Sequence, residues 1–376
     1  MRLALVAGEA SGDLLAGLLL KSLKQRWPGL SAAGIGGPQM IAQGFEPWWS
    51  SDKLAVRGYV EVLRHYREIV GIRRHLTARL LSDPPDAFIG VDAPDFNLDL
   101  EARLKAAGTK VIHFICPSIW AWRGERVAKI AKSVDHVLCL FPFEPALLAR
   151  HGIAATYVGH PLADAVPLEP PRAAARLALG LAAIDSVVAL LPGSRRSEIQ
   201  YIAPTFLQAA ARLHRQRPAL RFLLPVAPGL RSLLEPMLPE HAGSTPITLV
   251  DGRSHDVLAA CDVTLIASGT ATLEAALFKR PMVIAYRMNG LSWQMMRRMR
   301  YQAWVGLPNI LCSDFVVPER IQGDADPATL AADVLAWLDA PVRADALKSR
   351  FTALHHLLRC DTARTATDAI ARILQA

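Results

Sequence analysis

The stretch Ala267-Ser268-Gly269-Thr270-Ala271-Thr272-Leu273-Glu274 sets hydroxyls, a glycine and a carboxylate directly after an apolar run, Val263-Thr264-Leu265-Ile266. The run reads as a buried parallel strand, and the residues after it read as a helix start with Ser268 or Thr270 as its cap. Unpaired N–H groups at a helix start, aided by the helix dipole, suit a phosphate. Gly269 lets backbone come close to such a group. Glu274 lies about one turn further on, where a carboxylate can accept hydrogen bonds from a ribose diol. A diphosphate next to a ribose is what a nucleotide sugar presents. The other reading, an ordinary capped strand-to-helix turn, weighs about as much on this motif alone.

A second device of the same kind shifts the balance. Val187-Val188-Ala189-Leu190-Leu191 is another strand candidate, and it ends in Pro192-Gly193-Ser194-Arg195, with a helix beginning near Ser197-Glu198. Arg195 would stand at the C-terminal end of its strand, where open α/β sheets bind ligands. Its fixed fork suits phosphate oxygens. An Arg paired with a nearby carboxylate is the alternative.

In the first half, Gly8-Glu9-Ala10-Ser11-Gly12-Asp13 joins the first strand to the first helix. It is neither G-x-G-x-x-G nor a Walker A loop, so no nicotinamide or ATP cofactor is expected, and Glu9 and Ser11 are read as facing a substrate. The rival reading makes Glu9 a helix-start carboxylate. Val91-Asp92-Ala93-Pro94-Asp95-Phe96-Asn97 ends another strand, and Pro94 turns the chain. A sugar hydroxyl becomes a nucleophile once its proton is removed, and Asp92 is placed to do that. Asp95 is read as the turn or cap residue of the two. Trp120 and Trp122, in Pro117-Ser118-Ile119-Trp120-Ala121-Trp122-Arg123, either line an acyl or sugar site or fill a core. His113 lies within a strand and reads as structural. His160 reads equally as a hinge residue or a ligand.

Those residues need a scaffold. Strand-like runs at Leu3–Ala7, Ala87–Val91, Val111–Ile115 and His136–Cys139 alternate with helical patterns, as do Val187–Leu191, Arg221–Val226, Ile247–Val250, Val263–Ala267 and Met282–Tyr286. The alternation predicts an α/β fold of two doubly wound parallel sheets. The chain of 376 residues has room for both. Val166-Pro167-Leu168-Glu169-Pro170-Pro171 is the linker candidate, which gives domains at 1–165 and 172–340 and a helical segment at 341–376. Paired domains imply a cleft, a common place for an active site.

Hydrophobic content of 52% and charged content of 20% describe a folded chain. The five cysteines are scattered without paired or metal-like spacing, which fits a reducing cytosol and no metal site. Met1–Ala7 resembles a signal peptide until Glu9 and Asp13 interrupt it. No apolar run reaches the roughly 18 residues of a membrane span, so a soluble or peripheral protein is expected. The net charge of +8 favours an anionic partner. No helix-turn-helix, RNP or zinc pattern supports nucleic acid. Two segments, Leu63–Leu76 and Leu291–Tyr301 with Trp304, mix Arg with large apolar residues as membrane-surface helices do. Packed helices with a solvated basic face are the alternative.

Taken in order, the motifs resemble the lipid-A-disaccharide synthase family along nearly the whole chain. They are Gly8–Asp13, Ala55–Val62, Asp92–Asn97, Pro117–Trp122, Gly159-His160-Pro161, Leu191–Arg195, Ser268–Glu274, Leu307-Pro308-Asn309-Ile310 and Arg359-Cys360. The resemblance implies a GT-B glycosyltransferase whose C-terminal helices cross back to the first domain or to a partner subunit, so a homodimer is allowed. UDP-2,3-diacylglucosamine would be the donor and 2,3-diacylglucosamine 1-phosphate the acceptor. The β-1,6 disaccharide 1-phosphate and UDP would form with inversion at the cytoplasmic face of the inner membrane, without cofactor or metal. Glu9, Asp92, Arg195 and Asn309 carry over as site residues, with Asp92 the base. Arg57 stands where Met is common in the family, and Cys116 where Ser is common. A UDP-N-acetylglucosamine 2-epimerase-like enzyme is the alternative of similar design.

Overall fold

The computed structural model describes residues 1–54, 59–121, 124–290, 293–294 and 302–375, and of residues 59–66 only the helical backbone. The chain divides into two compact units, Met1–Asp164 with Leu358–Ala376, and Ala165–Leu357.

The first unit carries β1 (Arg2–Ala7), α1 (Ala10–Arg26), β2 (Ser31–Gly36), α2 (Pro38–Ile41), β3 (Glu46–Ser50), α3 (Tyr59–Ser82), β4 (Ala87–Val91), α4 (Pro94–Ala106), β5 (Lys110–Phe114), α5 (Arg126–Ser133), β6 (His136–Cys139), α6 (Glu144–Ala149), β7 (Ala155–Tyr157) and α7 (Pro161–Ala165). Its parallel sheet runs β3-β2-β1-β4-β5-β6-β7. Central strands such as β4 are buried at every residue, because helices cover both faces of a parallel sheet. Successive residues of β1 therefore enter two cores. Leu3, Leu5 and Ala7 pack with Leu19, Leu20 and Leu23 of α1, whereas Ala4 and Val6 pack with Leu76 of α3 and Leu100 and Leu104 of α4.

The second unit carries α8 (Arg172–Ala178), β8 (Val187–Leu191), α9 (Arg196–Gln216), β9 (Arg221–Val226), α10 (Arg231–Leu234), α11 (Met237–Ala242), β10 (Ile247–Asp251), α12 (Ser254–Ala260), β11 (Val263–Ala267), α13 (Thr270–Leu277), β12 (Met282–Tyr286), α14 (Leu307–Cys312), β13 (Glu319–Ile321) and α15 (Pro327–Leu338). Its parallel sheet runs β10-β9-β8-β11-β12-β13. The two doubly wound sheets are those expected from the alternating pattern.

The helical segment expected at 341–376 is divided between the units. The helix α16 (Pro341–Leu358) counts with the second, and α17 (Thr362–Gln375) with the first. The reason is packing: α17 buries Ala366, Ala369 and Ile370 in the same core as α1. Burying Ile370 alone contributes roughly 1.5–3 kcal/mol relative to exposure. The Arg26–Asp368 pair beside it is exposed and adds little.

Candidate functional site

In each sheet the strand order reverses at one place, between β1 and β4 in the first and between β8 and β11 in the second. Loops diverge there beyond the strands' carboxyl ends, and open α/β sheets bind ligands at that point. The sequence motifs occupy both places. Glu9 and Ser11 come after β1, Asp92 after β4, Gly193–Arg195 after β8 and Ser268–Thr270 after β11.

In the second unit Gly193, Ser194, Arg195, Ser268, Gly269, Thr270 and Glu274 line one pocket of about 500 Å³, with Tyr286 at its wall. Neither Ser268 nor Thr270 caps α13, contrary to expectation. The cap position is Gly269, and no side-chain cap bonds to the helix start among the described residues. Ser268 Oγ instead donates to Val305 O at 3.1 Å. An uncapped start leaves first-turn N–H groups for a ligand. Gly269 sits at φ +154° and ψ −167°, a region essentially closed to side-chain-bearing residues, which is why glycine stands here.

The Gly193–Arg195 turn is less open than its sequence suggests. Glu198 Oε2 accepts from the N–H groups of Ser194 at 3.0 Å and Arg195 at 3.2 Å, and Oε1 accepts from Arg195 Nη1 at 2.9 Å. The turn's amides are thus held by Glu198, the third residue of α9, reaching back over the helix start. What remains for an anion is the Arg195 side chain, 65% exposed and aimed by Glu198. Glu274 meets His255 Nε2 at 3.5 Å, and this carboxylate raises the His255 pKa against the opposing effect of burial.

Asn309 is a correction. It is fully buried, and its amide is saturated by Val317 O, Glu319 Oε1 and the N–H groups of Val316 and Val317, at 2.8–3.0 Å. A side chain so engaged has nothing left for substrate. Its partner Glu319 also accepts from the N–H groups of Val305 and Gly306.

In the first unit Asp92 lines a pocket of about 360 Å³ with Pro94, Cys116, Pro117, Ser118 and Arg126. Its carboxylate makes no hydrogen bond or ion pair among the described residues. Asp92 and Ala93 both lie at positive φ, 52° and 45°, so the chain turns sharply between β4 and α4. Asp95 opens α4 and pairs with Arg126, as a helix-start residue does. Glu9 and Ser11 are exposed at the start of α1, beside this turn, because β1 and β4 are neighbours paired at Ala7 and Val91. Neither lines the Asp92 pocket. Asp13 is structural: buried, it accepts from the N–H groups of Gly37, Gln39 and Met40 and caps α2.

Trp120 joins an aromatic cluster, edge-on to Phe141 and Phe143, and its Nε1 donates to Glu144 at 3.0 Å. Burial pushes the Glu144 carboxyl up to about 7. Glu144 lies with Cys116 and Cys139 in a buried group that spacing alone could not assemble, since three separate segments supply it. His160 is buried and neutral, lowered to about 4 by burial, and its Nδ1 accepts from Leu162 N at the start of α7. His113 is buried against Glu101.

Ala55–Gly58, Trp122, Arg123, Leu291, Ser292 and Met295–Tyr301 lie outside the described residues. In the other basic apolar segment, Ile72 and Leu76 are buried in the core and Arg73 pairs with Asp99. That half of Leu63–Leu76 is a packed helix face.

The sequence matches the family described as lipid-A-disaccharide synthetase over residues 3–370. A lipid-A-disaccharide synthase of Albidiferax ferrireducens is 63% identical over 380 residues, covering 100% of this chain and 98% of the relative. Among solved structures, the UDP-GlcNAc 2-epimerase from Neisseria meningitidis bound to UDP-GlcNAc is similar with a TM-score of 0.66 at 11% identity, covering 100% of each chain. MurG of Acinetobacter baumannii is similar with a TM-score of 0.58 at 13% identity, covering 99% of each. At such identities the structural likenesses show the two-sheet glycosyltransferase fold and nothing finer.

Proposed function

The chain belongs to the lipid-A-disaccharide synthase family, and from that premise we propose how its residues divide the work of a glycosyltransferase of lipid A biosynthesis. The second unit holds UDP-2,3-diacylglucosamine, and the first holds 2,3-diacylglucosamine 1-phosphate. The observation that carries this reading is the convergence of Gly193–Arg195 and Ser268–Glu274 on one pocket at a switch point. Arg195 and the uncapped start of α13 meet the diphosphate, and Glu274, braced by His255, meets the ribose.

Asp92 takes the proton from the acceptor 6-hydroxyl as that oxygen bonds to the donor's anomeric carbon. The carbon–oxygen bond to the diphosphate breaks from the opposite side, and UDP leaves with the electron pair. The α-linked donor thus gives a β-linked product. The proton on Asp92 then passes to water. Glu9 is the second carboxylate at this switch point and the candidate should Asp92 prove dispensable. The leaving charge is met by Arg195 and the helix start, so no divalent ion is assigned a role.

Both substrates carry acyl chains, so the protein works peripherally at an anionic membrane surface, on the cytoplasmic face of the inner membrane. A homodimer is compatible with this arrangement, and no nucleic acid takes part. Among the described residues no helix is long and apolar enough to span a membrane.

Incubation with both lipids, with detection of disaccharide and UDP, tests the reaction. An epimerised nucleotide sugar would favour the epimerase-like alternative. Asp92→Asn should lower turnover about 10²–10⁴-fold with UDP affinity retained. Near-normal turnover would move the base to Glu9. Activity abolished by a chelator and restored by a divalent ion would overturn the metal-free assignment.

A further inference from the structure

The α4 face of the first sheet is an apolar layer that includes Val6, Phe88 and Val111. It is broken beneath Asp92. Gly90 of β4 offers no side chain, and polar groups fill the space. Glu101 of α4 comes so close that a Cβ at Gly90 would lie 2.0 Å from its Oε1. That oxygen meets His113 Nδ1 of β5 at 2.7 Å, and both side chains are wholly buried. Asn97, one turn before Glu101, donates through Nδ2 to Asp92 O at 2.8 Å. Three further atoms, Asn97 Oδ1, Glu101 Oε2 and His113 Nε2, are buried with no hydrogen-bond partner among the described residues.

Such a cluster is a poor stability device. Well-packed apolar groups in place of a buried pair are often as stable or more so. Its location suggests its use. The turn it supports holds two successive non-glycine residues at positive φ. That turn is fastened by Asp92 N to Phe114 O, by Phe96 N and Asn97 N to Ala93 O, and by the Asn97 amide.

We propose that Asn97, His113 and Glu101 are positioning residues for Asp92. Asn97 fixes the turn through its bond to Asp92 O, and the buried Glu101–His113 contact locks α4 to β5 one helical turn further on, so that the carboxylate is held in one place when the acceptor hydroxyl arrives. This rests on the reading of Asp92 as the base. Glu101 comes from α4 and Asp92 from the end of β4, while the β6 partner of His113 is the apolar Val137. Burial pulls the imidazole down, but the charge and hydrogen bond of Glu101, joined by Asp92, outweigh it and leave His113 raised.

The test compares kcat and KM for the full chain and its Glu101→Gln, His113→Gln, Asn97→Ala and Asp92→Asn variants. Glu101→Gln, His113→Gln and Asn97→Ala should each lower kcat roughly tenfold and hold both KM values within about twofold, because a misplaced base slows proton transfer without loosening either substrate. Folded variants with the wild-type kcat would make the cluster mere packing and overturn the proposal. A measurement on the unaltered protein guards against variants that fail to fold. The amides of Asp92, Phe96 and Asn97 should exchange hydrogen as slowly as those of β4, and fast exchange would show the turn unfixed and overturn the proposal as well. Asp92→Asn separates the two readings. If it stays active, the base assignment fails. If it is inactive while the pair variants are normal and folded, only the positioning role fails.

Discussion

Glu198 and Glu144, which spacing did not single out, each leave a measurable signature. Glu198 occupies the amides of the Gly193–Arg195 turn and aims Arg195. Glu198→Ala should therefore cost about 1 kcal/mol of stability through the lost cap, and weaken UDP binding although Glu198 itself is an anion. Thermal unfolding and calorimetry check the two effects, and tighter UDP binding would show that Glu198 competes with phosphate instead of serving it. Arg195→Ala should cost roughly 1.5–3 kcal/mol of UDP affinity and leave folding intact. Glu144 has a pH signature. Its carboxyl titrates at about 7 in the fold against an ordinary 4.5, because burial disfavours the charge. The folded state thus binds the extra proton between those values. Its contribution is complete below about 4.5 and is lost as pH rises through 7, about 3 kcal/mol in all. Wild-type melting temperature should fall by several degrees relative to Glu144→Gln between pH 4.5 and 7. Parallel curves would show Glu144 to be ionised throughout.

The elements explain why some of this was legible in the sequence and some was not. β4, β8 and β11 are fully buried, and five-residue apolar runs mark them without ambiguity. β2 escapes the eye because Ser31-Ala32-Ala33-Gly34-Ile35-Gly36 is built from small residues, and β3 because it is a partly exposed edge containing Pro47. β7 and β13 are three-residue edges. Glycine and hydroxyls near strand ends pointed to the phosphate turn, but no side-chain cap forms there. A backbone at φ +154° leaves Gly269 itself as the half-turn, and Ser268 is drawn off to Val305. Asn309 looked functional for its motif, and only its environment shows that four hydrogen bonds absorb it. Gly269→Ala tests the element directly. The forced backbone should cost about 1–3 kcal/mol and shift the start of α13, with UDP affinity falling. Unchanged affinity would detach that helix start from the diphosphate.

At the scale of the whole molecule the chain carries a net charge of +8, and under the proposed reaction it reaches acylated substrates without a spanning helix among its described residues. Binding to an anionic bilayer then has an electrostatic and an apolar part. Each Arg or Lys near such a surface contributes roughly 1 kcal/mol, and salt screens it. The packing of Ile72 and Leu76 removes the second half of Leu63–Leu76 from the apolar part. Exposed Leu14 and Leu18, one turn apart on α1, and Ile41 on α2 offer another apolar surface in the same unit. Arg297, Arg298 and Arg300 lie outside the described residues, so the expectation for them rests on their sequence, basic and interleaved with Met295, Met296 and Met299. Changing the three to Glu should weaken flotation with anionic vesicles more than it weakens UDP binding, and added salt should weaken flotation of the wild type. Leu14→Ser with Leu18→Ser should lower vesicle binding while the salt dependence persists. If the Arg changes leave flotation untouched and the Leu changes abolish it, the apolar surface of α1 is the membrane contact and the Met-Arg segment is not.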